Sequence, residues 1–210
     1  MTRPTLHYIF DPLCGWCYGA APLVAAARAV VTTLGHAGGM MAGDHRQPVS
    51  ARLRNHVVPH DHRIARLTGQ PFGAAYFDDL LRDESAVFDS EPPITAILAA
   101  QQLAGRGLDL LARAQVAHYQ EGRRIAEPGV LGELAVQIGL VRADFERHYE
   151  DQRGAPTQAH IAQSRALLAR AGGRGFPTFV LEDAGQMTVL DVGPYLGRPE
   201  AWAAHLSTAR

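Results

Sequence analysis

Helical signals fill the middle of this 210-residue chain, whereas strand signals stand only near its two ends. Between Gln47 and Gly172 the apolar residues recur at helical spacing, and Gly, Pro and Asp-Ser clusters separate one candidate helix from the next. The predicted helices span residues 49–68, 72–82, 93–104, 109–123, 129–138, 142–149 and 156–171. Ser90 precedes the third of them and is a candidate helix cap.

The two ends carry mixed α/β signals. A β-prone run at 6–10 precedes a helix from about Cys14 to Val31, in which Pro22 should produce a kink. A weaker strand signal follows at 34–41. Strands at 177–182 and 186–190 form a hairpin before a last helix at 199–206. The order β-α-β, helical block, β-β-α predicts a small α/β layer, built from both ends, with the helical block as its lid.

Composition excludes several classes of protein. Hydrophobic residues make up 47% and charged residues 20%, which is ordinary for a folded domain, and the net charge of −1 gives no attraction for nucleic acid or an anionic membrane. The N-terminus lacks the pattern of a secretory signal, and no apolar run reaches membrane-spanning length. We therefore expect a cytoplasmic protein whose thiols are kept reduced.

The chain has only two cysteines, and they form the motif Cys14-Gly15-Trp16-Cys17. A CxxC pair at the start of a helix puts both sulfurs on one face, where the helix terminus stabilises a thiolate at Cys14. Cys14 would attack a disulfide, and Cys17, one turn further on, would resolve the mixed disulfide. Gly15 allows a tight turn, and Trp16 offers an apolar surface to substrate. The alternative is two unrelated buried cysteines; a zinc site would need two more ligands.

Two segments, residues 10–19 (FDPLCGWCYG) and 173–179 (GRGFPTF), together with the helical insertion, resemble the bacterial DsbA family. Its FrnE-like members, which lack a signal peptide, are the most similar branch. The resemblance implies a thioredoxin fold with an inserted all-helical subdomain. Residues 1–45 and 173–210 would form the thioredoxin-like domain, and residues 46–172 the insert. The implied activity is thiol–disulfide oxidoreduction by Cys14 and Cys17.

The resemblance also gives a role to Phe176 and Pro177. Thioredoxin-like proteins carry a cis-proline here, facing the CxxC, so we expect a cis Phe176–Pro177 peptide and a Phe176 backbone that pairs with an extended substrate. An ordinary trans proline at the start of a strand is the alternative. The family's periplasmic oxidant has Pro-His between its cysteines. Gly15-Trp16 lacks that histidine, which favours a reductase or isomerase over a strong oxidant.

Two further groups of residues have open interpretations. Asp11 could handle a proton for Cys17 or, as we favour, serve a structural role in the Asp-Pro turn. His56, His60 and His62 form a cluster that could ligate a metal, but the surrounding arginines favour a solvated helix face. We expect no metal and no cofactor beyond the dithiol.

Disulfide-containing proteins or peptides are the expected substrates, with glutathione or a thioredoxin system as candidate electron donors. Neither a nucleic acid nor a membrane is expected as a partner. Two other functions stay open, a glutathione-dependent transferase or isomerase of the kappa type and a holdase chaperone with a thioredoxin fold.

Overall fold

A four-stranded mixed sheet joins the two ends of the chain in the computed structural model, which describes residues 4–208. In chain order the strands are β1 Thr5–Phe10, β2 Thr32–Ala37, β3 Gln47–Pro48, β4 Val87–Phe88, β5 Thr178–Asp183 and β6 Gln186–Leu190. The sheet order is β2-β1-β5-β6, with β1 and β2 parallel and the other pairs antiparallel. The predicted α/β layer is therefore confirmed, although β2 begins and ends earlier than the weak signal at 34–41.

The chain forms nine α-helices within residues 4–208. They are α1 Gly15–Gly19, α2 Ala21–Arg28, α3 Ala51–Thr68, α4 Glu91–Ala104, α5 Gly107–Tyr119, α6 Pro128–Gln137, α7 Arg142–Gln152, α8 Ala155–Arg170 and α9 Pro199–Thr208. The helix predicted from Cys14 to Val31 is two helices. They meet at Ala20, and Pro22 lies in the first turn of α2, so the predicted kink is confirmed.

The central strand β1 explains where the core lies. Its side chains alternate between two faces, and both faces are covered, as the almost continuous apolar run LHYIF indicates. Tyr8 and Phe10 pack with Phe179 on the face covered by α2 and α9. Ile9 packs on the opposite face with Val180 of β5 and with α8. This sandwich fixes the end of β1, from which the cysteines follow.

The middle segment is mostly helical, as predicted, with two differences. The helix predicted at 72–82 is instead a π-helical turn, Ala75–Asp79, followed by a 3₁₀ turn, Leu80–Arg82. Just before it, Gly73 N donates a hydrogen bond to the Tyr119 carbonyl at the end of α5. The strands β3 and β4 form a short antiparallel ladder, so the insert is not purely helical. The domain division at residues 45/46 and 172/173 stays a prediction. In the part of the chain described, no helix is both long and apolar enough to span a membrane.

The helix α3 packs directly on the backbone of α1. A Cβ atom at Gly19 would lie 2.7 Å from Ile64 Cγ2 and 3.1 Å from Thr68 Cγ2. Gly15, one turn earlier, approaches α3 in the same way. Two glycines four residues apart therefore let the helical insert lie against the CxxC helix.

We expect Gly19→Ala to lower the free energy of unfolding by about 1–3 kcal/mol, because the added methyl group has no room beneath α3. Gly129→Ala is the matched control, since a Cβ atom at Gly129 in α6 meets no atom within 4 Å. Urea titration of both variants measures the effect. Equal stability of the two variants would contradict the close packing of α1 and α3.

Candidate functional site

The two cysteines occupy the first turn after β1. Cys14 precedes α1 with extended backbone angles, and its carbonyl accepts hydrogen bonds from the N–H groups of Cys17 and Tyr18 at 3.0 and 3.1 Å. Both thiols are free; Cys14 is 6% exposed and Cys17 is fully buried. Burial raises the pKa of the Cys17 thiol well above its ordinary value, and its hydrogen bond with Cys14 adds to the rise. The asymmetry fits an outer attacking thiol and an inner resolving thiol.

The segment before β5 lies against Cys14. The Phe176–Pro177 peptide is cis, which confirms that prediction. The Cys14 thiol donates a hydrogen bond to the Phe176 carbonyl over 3.4 Å. The Phe176 ring rests on the backbone of Gly38, where a Cβ atom would come within 2.2 Å of the ring. Cys14 and Phe176, which are 162 positions apart in the sequence, are therefore in direct contact.

Asp11 anchors the loop between β1 and Cys14. Its buried carboxylate accepts hydrogen bonds from Leu13 N at 2.8 Å, Met40 N at 2.5 Å and Ser90 Oγ at 2.9 Å. Burial raises the pKa of Asp11 to about 6, while the three hydrogen bonds oppose the rise. These contacts agree with the structural interpretation of Asp11.

Ser90 occupies the N-cap position of α4, as predicted, but its side chain does not serve as the cap. Its backbone angles are already helical, and its side chain makes no capping bond. The hydroxyl instead donates to Asp11 and accepts from Met41 N at 3.1 Å. The sequence gives no local signal for this role, because the partners lie far away in the chain.

A cavity of about 480 Å³ opens beside Cys14. Cys14, Gly15 and Trp16 line it, together with mostly apolar and aromatic side chains from the loop after β2 and from α3. Trp16 is half-buried, and the Arg63 guanidinium lies 5.9 Å from its ring centroid. Phe176 and Pro177 are not among the cavity walls; Phe176 reaches the site through its carbonyl. Such a concave, largely apolar pocket at a nucleophile suits a small ligand.

The three clustered histidines of α3 do not face one common site. His56 and His60 line the cavity with their ring centroids 5.1 Å apart, whereas His62 stacks on Phe77 at 4.7 Å. Within residues 4–208, no group of three or more His, Cys, Asp or Glu side chains is arranged to hold a metal ion.

Asp61 is a site residue that the sequence analysis missed. It lines the cavity, is 4% exposed, and accepts a hydrogen bond from the Tyr76 hydroxyl at 2.8 Å. A signal for it exists, because Asp61 occupies a position of the apolar stripe that contains Val57 and Ile64. A carboxylate in the buried stripe of a helix is an exception to helical amphipathicity that points to a specific role.

We expect Ser90→Ala to cost about 1–3 kcal/mol of unfolding free energy, because it leaves the buried Met41 N–H without its acceptor and takes one donor from Asp11. Ser85→Ala is the matched control. That exposed serine also bonds an aspartate, Asp83, at 2.6 Å, and its loss should cost less than about 0.5 kcal/mol. Thermal unfolding of both variants tests the difference, and a Ser90→Ala protein as stable as the control would show that the Asp11 cluster contributes little.

Comparison with solved structures finds proteins that are similar over almost the whole chain. The cytosolic disulfide reductase DsbM from Pseudomonas aeruginosa is 56% identical, with 98% of each chain covered and a TM-score of 0.92. A structure of the same reductase with GSH gives 55% identity, the same coverage and a TM-score of 0.91. A putative protein disulfide isomerase from Nitrosomonas europaea is 25% identical, with 99% of this chain and 97% of that chain covered and a TM-score of 0.79. No protein-family model and no curated protein matches the chain.

Proposed function

Because this chain belongs to the DsbA family of thioredoxin-fold thiol–disulfide oxidoreductases, we propose that it is a cytosolic disulfide reductase that takes its electrons from glutathione. The similarity to a cytosolic disulfide reductase, also known in a structure with GSH, supports both parts of the proposal. The substrates are disulfides of small molecules or of peptide segments that can enter the cavity beside Cys14.

The observation that carries this proposal is the position of the Cys14 sulfur. It lies at the wall of a cavity of about 480 Å³ and 3.4 Å from the Phe176 carbonyl, while Cys17 is enclosed behind it. A disulfide in the cavity can therefore reach Cys14 but not Cys17. The backbone at Phe176 offers an extended substrate an edge for pairing.

The reaction proceeds by two thiol–disulfide exchanges. The Cys14 thiolate attacks one substrate sulfur, the substrate S–S bond breaks, and the first product leaves as a thiolate that takes up a proton. Cys17 then loses its proton and attacks Cys14, which releases the second product thiol and leaves a Cys14–Cys17 disulfide. Two glutathione molecules reduce that disulfide and leave as glutathione disulfide, so electrons and protons balance.

The two cysteine variants should differ in what they accumulate. Cys14→Ser should lose glutathione-dependent disulfide reduction by at least about 100-fold, because no other thiol faces the cavity. Cys17→Ser should trap a mixed disulfide between substrate and Cys14, visible as a mass increase under non-reducing conditions. Each variant is the matched control of the other. Full activity of Cys17→Ser would favour a single-thiol transferase. A holdase would be favoured if the wild type and Cys14→Ser both prevent aggregation and neither reduces disulfides.

The reduction potential should lie nearer to about −270 mV, the value of thioredoxin, than to about −120 mV, the value of the strongly oxidising family member. Gly15-Trp16 places no histidine between the cysteines, so the reduced form lacks that source of stabilisation. Equilibration with defined glutathione ratios, read by Trp16 fluorescence, measures the midpoint, with Trp202 as a constant background. A midpoint near −120 mV would refute the direction of electron flow but leave the dithiol chemistry intact.

A further inference from the structure

The Asp61 carboxyl is the acidic group of the helical insert that rests on the CxxC segment. An added Cβ atom at Gly15 would lie 2.5 Å from Asp61 Oδ1, so this oxygen sits directly above the residue that follows Cys14. The other oxygen, Oδ2, is held by the Tyr76 hydroxyl at 2.8 Å. One oxygen is thus fixed by Tyr76, and the other lies against Gly15, the residue next to Cys14 in the chain.

The surroundings of Asp61 favour the neutral form of its carboxyl group more than solvent would. Among the described residues it forms no ion pair, and the nearby Arg63 lies over the Trp16 ring instead. Burial raises the pKa of Asp61 from 3.8 to about 7, and the Tyr76 hydrogen bond opposes the rise. Both protonation states are therefore populated near neutral pH. The titratable and charged side chains that face it or line the same cavity are Cys14, His45, His56, His60, Arg63, Tyr76 and Tyr119.

We propose that Asp61 is the catalytic proton donor and acceptor for sulfur in the cavity beside Cys14. The proposal rests on the function proposed above. When Cys14 attacks a substrate disulfide, the substrate S–S bond breaks and the Asp61 carboxyl gives its proton to the departing sulfur, which leaves as a thiol. When a glutathione thiol enters to reduce the Cys14–Cys17 disulfide, the Asp61 carboxylate takes the thiol proton and is ready for the next cycle.

Cavity geometry favours Asp61 over Asp11 for this task. Asp11 is fully enclosed, and its carboxylate is occupied by three donors, so it has no open path to a ligand. Asp61 lines the cavity in which the departing sulfur must lie, and its Oδ1 has no hydrogen-bond partner among the residues described. A carboxyl group that shares the cavity with the nucleophile can transfer a proton directly or through one water molecule.

The test is a single turnover of the reduced protein with glutathione disulfide, in which the released glutathione thiol is measured after acid quenching at several pH values. Asp61→Asn keeps the size of the side chain and an acceptor for Tyr76. It should slow release about tenfold near pH 6, where the wild-type carboxyl is protonated. Near pH 8.5 the difference should vanish, because the wild-type group is then ionised and has no proton to give.

Two further variants separate proton transfer from a structural effect. Tyr76→Phe removes the hydrogen bond that favours the Asp61 carboxylate, so the pKa of Asp61 should rise. Release of the glutathione thiol should then slow at a higher pH in this variant than in the wild type. Asp78→Asn removes an exposed carboxylate, 66% accessible, and should leave the pH profile unchanged. Tyr76→Phe also keeps the proposal testable if Asp61→Asn does not fold.

The contrary outcomes are distinct. A rate reduced by the same factor at every pH, or an unchanged Asp61→Asn profile, would overturn the role of Asp61 while leaving the reductase intact. A Tyr76→Phe variant whose pH profile of thiol release matches that of the wild type would also overturn the role of Asp61. If the wild-type protein itself reacts with glutathione disulfide no faster than free glutathione does, the proposed function fails first, and the role of Asp61 falls with it.

Discussion

Three hydrogen-bond donors from three separate segments converge on the buried carboxylate of Asp11. Leu13 N comes from the loop that leads to Cys14, Met40 N from the loop after β2, and Ser90 Oγ from the start of α4. A buried carboxylate is tolerated only where such bonds replace its hydration. The sheet, the CxxC turn and the helical insert therefore meet at a single group. Its loss would leave several buried donors without a partner, and the Cys14 turn would lose its support.

Two buried carboxyl groups lie near the dithiol, and their hydrogen bonds explain why they differ. Asp11 is fully buried, yet three donors limit the rise of its pKa to about 6. Asp61 retains 4% exposure, but with Tyr76 as its one donor its pKa rises to about 7. Three donors and the nearby charge of Arg165 favour the carboxylate form of Asp11, whereas Tyr76 alone does so for Asp61. Both the depth of burial and the number of donors therefore shape the two environments.

The sequence predicts those features of the fold that depend on residues close together in the chain. The strand before Cys14, the break at Pro22 and the ends of α5–α8 depend on nearby residues, and the predictions lie within a few positions of the structure. The cis peptide at Pro177 follows from the family resemblance and not from any local pattern. The role of Ser90 depends on Asp11, 79 positions away, and could not be read from its neighbours. Asp61 left a trace as a polar residue in an apolar stripe, but its partner at Gly15 appears only once α3 is packed on α1.

The loop at residues 38–41 connects the two halves of the site. Arg165 of α8 donates to the carbonyls of Gly38 and Gly39 at 2.7 and 2.6 Å, and Gly38 N donates to the carbonyl of Phe10 at 2.8 Å. The Phe176 ring rests on the same Gly38, while the next turn of the loop bonds Asp11. The Phe176 carbonyl beside Cys14 is thus positioned partly by the contact of its ring with this loop. Because α8 belongs to the predicted insert, the helical segment contributes to the support of the loop that carries the dithiol's neighbours.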